Sequence, residues 1–325
     1  MIKTALRLTT LSALYVSITA LGVVYGSHAS SKLQNLKNDP VSCNPKTAPQ
    51  KTVIPIGWAS TKLISPDEKL ALRFEEKNLV LFETGKTANE QILGENYSFS
   101  AGFSPNTQDH KLLAVGKYDG QVSIFELGNT AQKTKNLVTF QACQGEVFST
   151  ALSQQEQLLV QCGSNQLVAY QLDGKEKPSP IEISNNSFAT PLVGIAISNS
   201  GKYIAWSDSL GAIGTYQFHR TKGYELKHAL RTVAVNTDDI TTHLLFSQNE
   251  DILLGVPKNE TMITMRSISK PYQVKTLYPK PKSYSFSLRL NNNKLFGYGL
   301  ASGKTGIEPF KLSLDSSIIS DCFPE

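Results

Sequence analysis

The sequence predicts an all-β protein, and three observations carry that prediction. Short apolar runs alternate with turn residues along most of the 325-residue chain, which contains 22 Gly and 15 Pro. A unit of three such runs recurs, and its last run ends six times at almost the same spacing. Asp-Gly, a dipeptide that strongly favours a two-residue β-hairpin, separates two of these runs. Hydrophobic residues make up 40% of the chain and charged residues 18%, a balance that indicates a folded protein rather than a charged disordered tail.

The clearest unit lies between residues 99 and 127. Its first strand is predicted over Phe99–Phe103, its second over Lys111–Gly116 and its third over Gln121–Leu127. The dipeptide Asp119-Gly120 joins the last two strands, because glycine accepts the positive φ that a tight hairpin requires. The unit therefore reads as strand, turn, strand, tight turn, strand.

The unit recurs in six copies, and each third strand closes on a large side chain. The closing residues are Phe82, Phe125, Tyr170, Tyr216, Met265 and Phe310, at spacings of 43, 45, 46, 49 and 45. Such even spacing indicates an array of four-stranded blades, which is a β-propeller. Residues 52–325 are 325 − 52 + 1 = 274 positions, or about 46 for each of six blades, in line with the spacing. We therefore predict a single propeller over 52–325, with six blades; seven would require one copy too degenerate to recognise.

In these repeats the chain resembles the WD40-type β-propeller family, over roughly residues 52–320. The resemblance rests on the turn Phe103-Ser104-Pro105, on the Asp119-Gly120 hairpin, and on Phe82-Glu83 and Phe125-Glu126 where Trp-Asp is usual. Later copies depart from the pattern, and no copy keeps the family's Gly-His dipeptide. The Asp, His and Ser/Thr triad that ties the family's blades together therefore has no clear counterpart. The resemblance implies a platform for protein partners rather than an enzyme.

The two ends of the domain are predicted to meet in one blade. We expect Thr52–Ile56 to be the outer strand of the last blade, because joining terminal strands removes the open edges of a linear array. Closure would bring Cys43 near Cys322. The four cysteines allow three pairings, and we favour the disulfides Cys43–Cys322 and Cys143–Cys162. Buried thiols in a reducing compartment are the alternative.

The N-terminus has the charge order of an export signal. Lys3 and Arg7 precede an apolar stretch over 8–25, and Ser27-His28-Ala29 offers a small-x-small cleavage site. We predict a signal peptide or membrane anchor over 1–29 and a flexible tether over 30–51, where prolines stand among polar residues. A cleaved leader, an uncleaved anchor and a mitochondrial presequence all fit the stretch. In the first two cases the domain is extracytoplasmic, either periplasmic or secreted, and an anchor would tether it to a membrane.

Motifs that would indicate catalysis are weak. The run 297–305 ends in Gly-Lys-Thr like a phosphate loop, but Tyr298 stands where the pattern needs glycine, and a strand rather than a helix follows. No HExxH or GxSxG motif occurs in the sequence. His243, Glu146, Asp238 and Asp239 could line a central channel, yet a structural or solvated role explains each more simply. We predict no catalytic residue, metal site or cofactor.

Two classes of function remain. The first is a protein-interaction scaffold, a subunit of an envelope-associated assembly that binds its partner through one face of the ring. A candidate contact is the basic, Tyr-rich connector between blades five and six, with Lys270, Tyr272, Lys275, Tyr278, Lys280 and Lys282. The second class is a channel-centred metal-dependent hydrolase or lactonase, or a small-ligand binder. The net charge of +5 is too small to predict nucleic-acid binding, and nothing in the sequence indicates a homo-oligomer.

Overall fold

The structure of the protein, a computed structural model, describes residues 33–36, 41–42, 50–53, 63–75, 78–84, 90–105, 111–174, 177–232, 240–257, 263–271, 274–277, 283–291, 294–303 and 306–315. These residues form six β-sheets, and the 3₁₀ turn Ala131–Lys133 is the one helical element within them. The predicted all-β fold is therefore confirmed. Three strands precede the repeats, namely β1 (Leu33–Leu36), β2 (Val41–Ser42) and β3 (Gln50–Val53).

The first three sheets each contain four antiparallel strands in chain order, and we call them blades one to three. Blade one contains β4 (Leu63–Ile64), β5 (Leu70–Glu75), β6 (Asn78–Glu83) and β7 (Glu90–Glu95). Blade two contains β8 (Tyr97–Phe103), β9 (Leu112–Lys117), β10 (Gln121–Glu126) and β11 (Lys135–Gln141). Blade three contains β12 (Val147–Leu152), β13 (Gln157–Cys162), β14 (Gln166–Gln171) and β15 (Ser179–Ile181).

Blades four to six follow the same plan, and their first strands are also the inner ones. Blade four contains β16 (Leu192–Ile197), β17 (Tyr203–Asp208), β18 (Ala212–His219) and β19 (Gly223–Thr232). Blade five contains β20 (Thr241–Phe246), β21 (Ile252–Pro257), β22 (Ile263–Ser267) and β23 (Val274–Leu277). Blade six contains β24 (Ser283–Asn291), β25 (Lys294–Gly303) and β26 (Gly306–Asp315). The inner strands of neighbouring blades contact one another from blade one to blade six.

The hydrophobic core lies between the blades, because successive residues of one strand point alternately towards the preceding and the following blade. In β9, Leu112 and Ala114 pack against blade three, whereas Leu113 and Val115 pack against blade one. A strand buried on both faces reads as an unbroken apolar run instead of an alternating one. Similar clusters join blade three to four and blade four to five.

The repeat positions inferred from the sequence fall where they were expected. All six closing residues lie in third strands, where for example Phe125 pairs with Leu113 and Tyr170 with Leu158. Gly120 turns the predicted hairpin with φ of 87°. A Cβ there would collide with the carbonyl oxygens of Cys143 and Gly145, so only glycine fits both the turn and the space.

A strand from before the repeats closes the last blade. β3 pairs antiparallel with β26, and the register sets Val53 opposite Phe310 and Gln50 opposite Ser313. The predicted closure is confirmed, although the strand begins at Gln50 instead of Thr52; Ile54–Ile56 lie outside the described residues. Six sheets are thus formed with strands from both ends of the domain in the last one.

The structure differs from the expectation of a plain tether over 30–51. β1 pairs in parallel with β19, setting Leu33 opposite Ala229, and β2 pairs in parallel with β23, setting Val41 opposite Lys275. These strands add a fifth member to blades four and five and cover the backbone of their outer edges. The strands β1, β2 and β3 therefore lie at the outer edges of blades four, five and six. Within the described residues, no helix is long and apolar enough to cross a membrane, and the stretch 8–25 lies outside them.

Candidate binding face

The inner strands run between two faces of the ring that differ in chemistry. One face, which we call the bulge face, is where β8, β12, β16, β20 and β24 begin and where each carries a β-bulge. Because successive strands of a blade are antiparallel, the hairpins at Tyr118–Gly120 and Ser209–Gly211 lie on this face too. The opposite face, which we call the serine face, holds the turns that follow the inner strands. These turns begin with Ser65, Ser104, Ser153, Ser198 and Ser247.

On the serine face, one buried hydroxyl stabilises each turn in five blades. The serine Oγ accepts the N–H of a residue at the start of the second strand, and all five serines are buried. The pairs are Ser65 with Leu70 at 2.9 Å, Ser104 with Leu112 at 2.9 Å, Ser153 with Gln157 at 3.0 Å, Ser198 with Tyr203 at 3.0 Å and Ser247 with Ile252 at 3.0 Å. A side-chain acceptor satisfies a backbone donor that the turn would otherwise bury unpaired.

Contacts between neighbouring blades also occupy the serine face. Lys111 Nζ lies 2.6 Å from a carboxylate oxygen of Asp67 in the preceding blade. Burial would raise the pKa of Asp67, but hydrogen bonds from Lys111 and Ser65 outweigh it and lower the pKa. Glu250 accepts hydrogen bonds from the backbone N–H and the hydroxyl of Ser200 in blade four, at 2.5 and 2.6 Å. These charged groups of the serine face therefore already have partners within the molecule.

On the bulge face, one extra residue interrupts the pairing of the first and second strands in blades three to six. The extra residues are Phe148, Val193, Thr242 and Tyr284. A bulge leaves backbone groups without ladder partners and re-aims a side chain. In blades three to five, the carbonyl just before the bulge accepts a hydrogen bond from a buried side chain of the preceding blade. The donors are the Ser98 hydroxyl to Val147 at 2.6 Å, the Gln161 amide to Leu192 at 3.0 Å and the Ser207 hydroxyl to Thr241 at 2.7 Å.

Three large apolar side chains are exposed on the bulge face of consecutive blades. Tyr118 and Leu210 stand in the hairpins of blades two and four, each 48% exposed, and Phe148 at the bulge of blade three is 46% exposed. We call these three residues the apolar patch. Among the described residues, the two further exposed large apolar side chains, Ile92 and Leu137, lie on outer strands instead. The three side chains therefore share one face of the ring, on three consecutive blades.

The apolar patch was not predicted from the sequence, although two of its three residues stand at unusual positions. Tyr118 directly precedes Asp119-Gly120, and Leu210 directly precedes Gly211. Hairpin turns favour Gly, Asn, Asp, Ser and Pro, so a large apolar residue inside one is unusual. Phe148 carried no such signal, because Val147-Phe148-Ser149 reads as an ordinary buried strand until its register is known.

In three blades, the last residue of the second strand makes a stabilising contact at the bulge face, and the type of contact differs from blade to blade. In blade two, Lys117 Nζ lies 5.3 Å above the ring of Tyr97. In blade three, Cys162 forms a disulfide. In blade four, the Asp208 carboxylate accepts hydrogen bonds from the Thr190 hydroxyl at 2.5 Å and from the backbone of the hairpin that follows. The Thr190–Asp208 contact joins the connection that enters β16 to the end of β17.

The disulfide Cys143–Cys162 lies directly beneath the bulge of blade three. Its two Cα atoms are 5.3 Å apart, and it joins the connection that enters β12 to the end of β13. Val147, the partner of Cys162 across the strands, immediately precedes Phe148. The predicted Cys143–Cys162 pairing is therefore confirmed. Cys43 and Cys322 lie outside the described residues.

A cavity of about 280 Å³ opens beside the apolar patch, at the mouth of the central channel. Its wall comes from the starts of β12, β16 and β20, with Phe148, Val193 and His243 among the lining residues. His243 is exposed to this space, yet the surrounding wall removes bulk water around it and lowers its pKa. The imidazole is therefore neutral at pH 7. The hypothesis that His243 faces the channel agrees with this position.

The basic connector predicted as a partner contact is only partly described. Lys270 is exposed in the turn after β22. Lys275 lies within β23, where it pairs with Met265, so part of the connector is the outer strand of blade five rather than a loop. Tyr272, Tyr278, Lys280 and Lys282 lie outside the described residues. Of the six residues, the structure therefore describes Lys270 and Lys275, and the contact site stays a prediction.

Of the weaker candidates for chemistry, the structure describes Glu146 and most of the run 297–305. Glu146 is half-buried before β12, and its carbonyl accepts the N–H of Gly163 at 2.8 Å. Asp238 and Asp239 lie outside the described residues. The run 297–305 continues from β25 towards β26, which is the strand and hairpin context that the sequence predicted. In the part of the chain that the structure describes, no three His, Cys, Asp or Glu side chains are grouped to hold a metal ion.

Buried polar groups without partners lie between blades four and five. Arg266 is 6% exposed, and its Nε and Nη1 make no hydrogen bond with the described residues. It faces blade four, because its cross-strand neighbour Leu253 packs against Ala205. Thr215 and His228, opposite each other in blade four, each also leave one buried atom unpaired. Burial lowers the pKa of Arg266 to about 10, so the guanidinium stays charged at neutral pH.

Comparisons with known proteins place the fold. No family model matches the chain, and no curated protein matches it. Among solved structures, the chain is similar to the β-propeller domain of Cps50 (Swd1) from Myceliophteria thermophila, with a TM-score of 0.50 and 12% sequence identity. The match covers 77% of this chain and 86% of that one. At this level of identity the likeness concerns the fold alone, and the chain folds as a WD40-like β-propeller.

Proposed function

We propose that the protein is an extracytoplasmic interaction scaffold that binds a protein partner through its bulge face. The observation that carries the proposal is the apolar patch of Tyr118, Phe148 and Leu210, exposed on three consecutive blades of one face. The serine face offers less, since its serines and several of its charged groups already bind within the molecule. The resemblance to WD40 propellers favours the same class of function.

The chemistry of the patch fits the centre of a protein interface. Aromatic side chains dominate binding energy because they bury a large area with few rotatable bonds. Buried hydrogen bonds to Val147 and Leu192, together with the disulfide, hold the backbone around Phe148. A pre-organised anchor loses little conformational entropy when it binds, so this site favours tight binding from a small area.

Export to an envelope compartment is the finer part of the proposal. The apolar stretch 8–25 and the Cys143–Cys162 disulfide support an oxidising, extracytoplasmic location. An uncleaved stretch would tether the propeller to a membrane, within reach of an envelope-associated assembly. The propeller would then present its bulge face to other subunits, with no catalytic role of its own.

The experiment that tests this function compares the two faces in the native membrane. The tagged full chain is crosslinked mildly in its own cells, isolated and analysed by mass spectrometry. We expect one stoichiometric partner, and we expect Tyr118→Ser, Phe148→Ser and Leu210→Ser in one variant to remove it. The matched control carries Lys69→Ser, Gln155→Ser and Lys202→Ser on the serine face and should retain the partner. Equal recovery from both variants would rule out the bulge face.

The cavity favours a second candidate function, binding of a small ligand in the channel. Its volume of about 280 Å³ approaches the range of small-molecule sites, and its wall mixes apolar side chains with His243. Native mass spectrometry of the isolated full chain would test this candidate. A single bound compound that Phe148→Ser removes, with no protein partner in the crosslinking experiment, would favour the ligand binder.

A further inference from the structure

The cavity at the channel mouth has the size and wall of a pocket for one aromatic ring. Cavities of about 150 Å³ hold benzene, so about 280 Å³ leaves room for a ring with a polar substituent. One side of the wall is the exposed ring of Phe148. Leu192, Ile195 and Leu244 add aliphatic surface. A flat ring could therefore contact these apolar side chains with one face, while its other side remains towards the open mouth of the cavity.

The polar atoms of the same wall limit which group fits best. Gln161 and Thr242 already donate to backbone carbonyls, at 3.0 and 3.4 Å. The imidazole of His243 and the hydroxyl of Ser149 have no hydrogen-bond partner among the described residues. An aliphatic or purely apolar occupant would bury these groups unpaired, which costs binding free energy. An occupant that can donate and accept one hydrogen bond would not.

The charge of the lining residues further limits which side chain of a partner fits the cavity. The lining residues of the cavity include no Lys, Arg, Asp or Glu, and His243 is the one lining residue with a titratable side chain. Described acids on the adjoining elements are Glu146, before β12, and Asp208, whose oxygens accept three hydrogen bonds. A Lys, Arg, Asp or Glu side chain would enter this pocket without a counter-charge.

We propose that the partner of the scaffold inserts a tyrosine side chain into the channel mouth, with its ring against Phe148 and its hydroxyl bonded to His243. This inference rests on the proposed function, because it names the group by which a protein partner would recognise the bulge face. An aromatic anchor inserted into a pocket is a usual feature of a binding hot spot.

The proposal makes binding depend on pH. Docking removes the remaining water from His243 and further favours its neutral form. When the pH falls below the lowered pKa of His243, the imidazole must lose a proton before the ring can be buried, so binding weakens. A pocket without a role for His243 would bind equally well at both pH values.

The test uses p-cresol, the analogue of the tyrosine side chain, and toluene as its partner without the hydroxyl. Binding to the full chain is measured by ligand-observed NMR at pH 7.5 and 5.0. We expect p-cresol to bind about three- to tenfold more tightly than toluene at pH 7.5, the effect of one net hydrogen bond. This advantage should vanish in His243→Leu and shrink at pH 5.0.

Two further variants make the outcome decisive. Phe148→Ala should weaken both compounds, whereas Tyr118→Ala, on the same face but outside the cavity, should weaken neither; thermal denaturation confirms that both variants fold. Equal affinity for the two compounds, or p-cresol binding that survives Phe148→Ala, would overturn the proposal. Loss of p-cresol binding with a retained protein partner would defeat this inference alone. Retained p-cresol binding without a protein partner would defeat the scaffold and leave a ligand site.

Discussion

Single hydroxyls set the geometry of the serine face. Five buried serines follow the inner strands of blades one to five. Each accepts a hydrogen bond from the backbone N–H at the start of the second strand of its own blade. The repeat in the sequence made these positions visible, because Ser65, Ser153 and Ser198 stand at the same place in their copies. Their role as acceptors follows only from the turn geometry.

Replacing one of these serines should cost stability. Ser198 is fully buried, and its Oγ accepts the Tyr203 N–H at 3.0 Å. Ser198→Ala leaves that donor without a partner and should lower the free energy of unfolding by about 1–3 kcal/mol, measured by urea denaturation. Ser187→Ala, at an exposed position, should change it by less than about 0.5 kcal/mol. Equal small effects would mean that the hydroxyl bonds contribute nothing.

The sequence predicts the residues buried between blades but not the residues exposed on the bulge face. The closing aromatics such as Phe125 could be predicted, because a side chain buried between two blades repeats with the blade. Phe148 could not, because its exposure depends on a one-residue bulge relative to β13. A bulge is a property of two strands together, and the residues of one strand do not reveal it.

At the scale of elements, the end of the second strand is held by a different kind of contact in each of three blades. Blades two, three and four use a cation-π contact, a disulfide and a carboxylate at the end of the second strand. The repeat pattern therefore could not predict the contact between Thr190 and Asp208. The Cys143–Cys162 pair could be predicted, because cysteines of an exported protein form disulfides in an oxidising compartment.

The disulfide should stabilise the third blade under oxidising conditions. Cys143 and Cys162 are 19 residues apart, a loop for which a crosslink contributes about 3 kcal/mol. Cys143→Ser should therefore lower the free energy of unfolding by about that amount without a reductant. With dithiothreitol present, the wild type should fall to nearly the same value. An equal loss with and without reductant would assign the effect to packing instead of the covalent bond.

The interface between blades four and five contains a buried charge whose unpaired donors lower the stability of the protein. Arg266 is buried with two donors unpaired, so Arg266→Met should raise the free energy of unfolding by about 1–3 kcal/mol. Arg73→Met is the control, because Arg73 bonds Glu75 and Glu90 near the surface, and it should lower stability by about 1 kcal/mol or less. Both are measured by chemical denaturation. Destabilisation by Arg266→Met would contradict the assignment of Arg266 as a buried charge with unpaired donors.

At the scale of the molecule, the ring depends on a segment that precedes the repeats. Closure by β3 could be predicted, because a propeller must protect the edges of its terminal strands. The pairing of β1 and β2 with blades four and five could not, because strands of two to four residues carry no readable hydrophobic period. Backbone hydrogen bonding, which every sequence provides, holds them.

Removing this segment should open the last blade. A chain that begins at residue 54 lacks β1 to β3, and we expect faster amide hydrogen exchange in Phe310–Ser313 together with a lower melting temperature. A chain that begins at residue 33 keeps all three strands and should behave like the full chain. Unchanged exchange in the shorter form would contradict closure by β3.

The choice of the bulge face is the central claim, and site-specific photo-crosslinking tests it most directly. Benzoylphenylalanine is placed singly at positions 118, 148 and 210 on the bulge face and at positions 69, 155 and 202 on the serine face, in the full chain within its native membranes. The account predicts one discrete adduct, with the same partner, from the first three positions and none from the second three. Adducts confined to the serine-face positions would contradict it.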